Sequence, residues 1–121
     1  MADFDWVNAR AQCSAAIMFA RLRKNVKADV EKMSRLDSTW LFKFWSEEHS
    51  IFVSRERPNQ TRTISFVGCP TSIGVMDEDK ERCIATLTLN NDGECRLSVN
   101  GQEMEEWQFR KMILEELFFG A

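Results

Sequence analysis

The chain is 121 residues long, 44% hydrophobic and 11% aromatic, with a formal net charge of −3. That length fits a single domain over residues 1–121, able to bury about two-thirds of the surface its unfolded chain exposes. No apolar run is long enough for a helical membrane span, no charged apolar leader opens the chain, which points to the cytoplasm, and the mild negative charge gives no general bias toward nucleic acid.

Residues 3–36 read as helix, with Asp3 or Asp5 able to cap the start and Ser14 able to cap a second piece after Cys13. At 100° per residue, Val7, Ala11, Ala15, Met18, Phe19, Leu22, Val26, Val30 and Met33 fall on one stripe, with Asp29 as an intruder. Trp6, Cys13, Ile17 and Ala20 form a second apolar patch off that stripe, so a partner surface is expected there. Between residues 10 and 35 seven basic residues face two acidic ones. This charged side is first of all a solvated helix face. Its alternative use is the binding of nucleic acid or an anionic surface through Arg21, Lys24 and Lys27.

After residue 38 the hydrophobic period drops to two, which predicts strands near residues 40–46, 50–56, 62–67 and 72–76. A turn centred on Pro58-Asn59 would set Val53 opposite Ile64 and Ile51 opposite Phe66. The first strand is apolar on both faces, with Trp40, Phe42 and Phe44 on one and Leu41 and Trp45 on the other. Residues 77–82 read as an acidic loop. Residues 83–101 carry the clearest signal. A three-residue loop Asn91-Asp92-Gly93, with glycine in the left-handed position, sets Leu89 opposite Cys95, Leu87 opposite Leu97 and Ala85 opposite Val99. A two-residue loop would instead set apolar residues against polar ones.

Residues 102–119 read as a closing helix that is apolar on several sides. Met104, Trp107, Leu114 and Phe118 form one face, Phe109, Ile113 and Leu117 another, and Met112 and Phe119 a third. The expected fold is therefore α+β: an N-terminal amphipathic helix, an antiparallel meander of five to six strands, and a C-terminal helix on one sheet face.

Candidate chemistry is sparse. His49 is the one histidine, and Cys13, Cys69, Cys83 and Cys95 contain no Cys-x-x-Cys pair, so no metal site is implied and reduced, buried thiols are expected. Asp77-Glu78-Asp79-Lys80-Glu81 lacks the glycine turn and distal glutamate of a calcium loop, and no glycine-rich phosphate loop occurs. Neither a cofactor nor a catalytic residue is named. The favoured reading is a non-enzymatic protein-interaction domain, a homodimer or a subunit bound to another protein, with interface residues Trp6, Ile17, Trp45, Phe118 and Phe119. The alternative is a carrier or sensor of a small apolar ligand, its pocket lined by Trp40, Phe42, Phe44 and Trp107.

Overall fold

In the computed structural model, which describes residues 3–120, both capping signals act. The Asn8 amide donates to the Asp5 carboxylate at 3.0 Å and opens α1 (Trp6–Gln12), and the Ile17 amide donates to the Ser14 hydroxyl at 3.2 Å and opens α2 (Ala15–Leu36). Because Ser14 restarts the helix, the apolar stripe does not run through both pieces. It holds in α2, where Ala15, Met18, Phe19, Leu22, Val26, Val30 and Met33 are buried. In α1 no residue is buried, and Val7 and Ala11, expected in the core, face outward.

Seven antiparallel strands follow in one meander whose spatial order is the sequence order: β1 (Leu41–Glu47), β2 (Ser50–Arg57), β3 (Gln60–Gly68), β4 (Ser72–Asp77), β5 (Lys80–Leu89), β6 (Cys95–Val99) and β7 (Gln102–Met104). The last element is α3 (Glu106–Phe119). Val53 pairs with Ile64 and Ile51 with Phe66 across a Pro58-Asn59 turn in which Asn59 takes a positive φ of 69°. Leu89 pairs with Cys95 and Leu87 with Leu97 across the three-residue loop, where Gly93 has φ 78°. Both registers follow from turn chemistry agreeing with alternation.

Three expectations are corrected. The sheet has seven strands, because Asn100 and Gly101, both at positive φ, make a tight turn that sends Gln102–Met104 back along β6. Residues 102–104 are therefore strand, not helix. The acidic loop shrinks to Glu78-Asp79, since Asp77 pairs with Lys80 across the turn. Finally, Cys13 and Cys95 form a disulfide across 82 residues, so two of the four thiols are not free. Cys69 and Cys83 are free, the first exposed and the second half-buried.

One sheet face is dry. Ile51, Val53, Ile64, Phe66, Ile73, Val75, Ala85 and Leu97 are fully buried there, in one cluster with Leu22 and Val26 of α2 and Phe109, Ile113 and Leu117 of α3. Phe66 and Phe109 meet edge to face, with ring centroids 6.0 Å apart. Phe19 lies so close over Gly68 that an added Cβ would come within 3.2 Å of its ring.

Candidate functional site

Arginines of the sheet hold α3 in place. Arg55 of β2 donates to the Leu117 and Gly120 carbonyls at 3.1 Å, which suits the negative C-terminal end of a helix. Arg62 of β3 pairs with Glu116 at 3.0 Å and with Asp77 at 2.7 Å. Arg82 donates to the Met112 and Ile113 carbonyls; it sits at a β-bulge, where the register passes from Val75–Cys83 to Met76–Glu81. The Arg62 hydrogen bond lowers the Asp77 pKa, and Arg62 itself is raised by that same bond.

A polar cluster ties α3 to α2. The Asn25 amide donates to Glu106 at 2.7 Å, and Arg110 bonds both Glu106 and Asp29. Glu106 is 3% exposed, so its carboxylate depends on these two donors. Burial works against the Arg110 charge, but the bonds to Glu106 and Asp29 outweigh it and raise its pKa. Asp29, the intruder in the stripe, is thus the α2 end of an interhelical bridge.

Beside this bridge the two helices leave an apolar groove of about 340 Å³. Its floor is Met33, Leu114 and Phe118. Its rim is Leu36, Trp107 and Phe119, which are 73%, 52% and 71% exposed. Trp107 is steadied by its indole N–H, which donates to Glu105 at 2.8 Å. Lys111 and Glu115 lie along the same wall as an ion pair at 3.0 Å.

The residues expected at an interface are spread over three regions. Trp6, on α1, is 63% exposed, and Ile17 is exposed near the start of α2. Trp45 is on the outer sheet face, stacked on Phe52 with centroids 5.1 Å apart. Phe119 is on the groove rim, but Phe118 is only 9% exposed and packs edge to face on Phe42 at 5.5 Å, so it is floor and core. The four pocket candidates do not converge. Phe42 is core, Phe44 is half-buried, Trp40 lies under the guanidiniums of Arg55 and Arg57 at 4.2 and 3.6 Å, and Trp107 borders the groove. Arg21, Lys24 and Lys27 are exposed on α2, with no ion pair among the described residues.

Sequence reasoning missed Leu36, the Asp29–Arg110–Glu106 bridge and the disulfide. Only the intrusion of Asp29 signalled any of them. Among the described residues no group of His, Cys, Asp or Glu could hold a metal ion, and no helix is long and apolar enough to cross a membrane. The chain matches no protein-family model, no curated protein and no solved structure.

Proposed function

We propose that this chain is a non-enzymatic protein-interaction domain, a homodimer or a subunit of a larger assembly, that docks its partner on the α2–α3 groove. The observation that carries this reading is the exposed rim of Leu36, Trp107 and Phe119 over an apolar floor. Scattered exposed apolar residues are ordinary on a protein surface, whereas a concave cluster of large ones marks a contact site. The sheet arginines support it further. They bond α3 at Ile113, Glu116 and Leu117, so the α3 part of the rim, Trp107 and Phe119, is presented with less ordering cost on binding.

The test is accessibility in the cell. Lys32→Cys places a thiol on the groove wall while Leu36, Trp107 and Phe119 stay in place, and exposed Cys69, which does not line the groove, serves as the internal reference. With a permeant maleimide, the introduced thiol should label more slowly in cells than in dilute purified protein, while Cys69 labels alike in both. Equal labelling of the introduced thiol in the two settings would overturn the reading.

A further inference from the structure

We infer that the occupant of this surface is a second copy of the chain, its α3 lying antiparallel to the first across a two-fold axis; the inference rests on the groove being a docking surface. Trp107, Lys111, Glu115 and Phe119 follow one another at four-residue intervals along α3, and all four are exposed. Residues so spaced form one ridge of a helix, the ridge used in the commonest helix packing. Its chemistry runs aromatic, cation, anion, aromatic. Read backwards it runs aromatic, anion, cation, aromatic.

Two such ridges laid antiparallel therefore match at every position. Trp107 meets Phe119 of the second copy, and Lys111 meets Glu115 of the second copy, with the same two contacts repeated by symmetry. A two-fold interface demands a surface complementary to itself, and this order supplies one. A parallel arrangement would set like charge on like charge. Solvent alone gives no reason for a large aromatic at each end of a charged ridge. The ridge spans about 18 Å, and the groove floor of Met33, Leu114 and Phe118 runs beside it to receive the partner's rings. Lys111 and Glu115 already pair within the chain at 3.0 Å, but an exposed pair contributes little, and across the two-fold axis the two pairs form one cluster of four alternating charges.

Sedimentation equilibrium on purified chain and charge variants tests this. The wild type should be a reversible dimer at micromolar concentration, and K111E or E115K alone should weaken it by about tenfold or more. An equimolar mixture of K111E with E115K should restore association, since both charged contacts between the two copies are again between opposite signs. The double variant K111E/E115K should dimerise like the wild type, which also guards against a single variant that fails to fold. A wild type that stays monomeric at high concentration, or a mixture no tighter than its components, would overturn the inference. Protection of the Lys32→Cys thiol in cells, alongside a monomeric purified chain, would leave the groove reading intact with another protein as occupant.

Discussion

Asp29 interrupts the apolar stripe of α2, and its partner Arg110 lies 81 residues further along the chain. The intrusion was legible in the sequence, but the partner was not, because pairing across two helices depends on how the sheet seats them. The bridge has a definite energetic role. Removing Arg110 leaves Glu106 buried with only the Asn25 amide for company, and an uncompensated buried charge costs several kcal/mol. Arg110→Met should therefore destabilise the fold by roughly 3 kcal/mol or more in urea unfolding, and Arg110→Met with Glu106→Gln should recover much of that loss. A cost under about 1 kcal/mol for the single variant would contradict it. At Asp77 the folded pKa is depressed by Arg62, so the native state binds this proton less readily than the unfolded chain. Its stabilisation is present at neutral pH and is lost as pH falls from the ordinary carboxylate range through the lowered folded pKa. Asp77→Asn should thus reduce stability at pH 7 and flatten the acid limb of the stability profile. An unchanged limb would remove Asp77 from the acid response.

Among the elements, those whose turns carry their own chemistry could be read in advance. Pro58-Asn59 and Asn91-Asp92-Gly93 each fix a loop length, and alternation on both sides then leaves one register that buries apolar against apolar. The Asn100-Gly101 turn held the same kind of signal, yet the helical pattern after it masked a strand of only three residues. The disulfide was hidden for another reason. Cys13 sits between two helices, and nothing local reveals that this junction lies over the start of β6. The bridge fixes an element that packing does not, since α1 buries no side chain, although Phe4 just before it lies close over Gly93. Closing so long a loop is worth about 2–4 kcal/mol. Cys13→Ser should lower global stability by that amount and let the α1 amides exchange at nearly unfolded rates, with β5 and β6 still protected. Continued protection of α1 in the variant would show that packing alone holds it.

At the scale of the molecule, one sheet face and two helices bury a large core and still leave Leu36, Trp107 and Phe119 in water around the groove. Surplus apolar area was legible in composition and in the many-sided pattern of α3. Its location was not, because Phe118 and Phe119 are neighbours in sequence, yet one lies against Phe42 and the other against solvent. If a second copy covers this rim, folding and association are linked, and the native state gains stability with concentration by mass action. The thermal midpoint of the wild type should then rise as the protein is concentrated, by about RT ln(1 + [L]/Kd) in free energy, while that of Phe119→Ser stays constant. In dilute solution the two should melt alike, since Phe119 makes little buried contact within its own chain and an exposed substitution changes stability by roughly 0.5 kcal/mol at most. Differential scanning calorimetry over a hundredfold concentration range separates the outcomes. Midpoints that do not move with concentration for either chain would place the occupant of the groove outside this sequence.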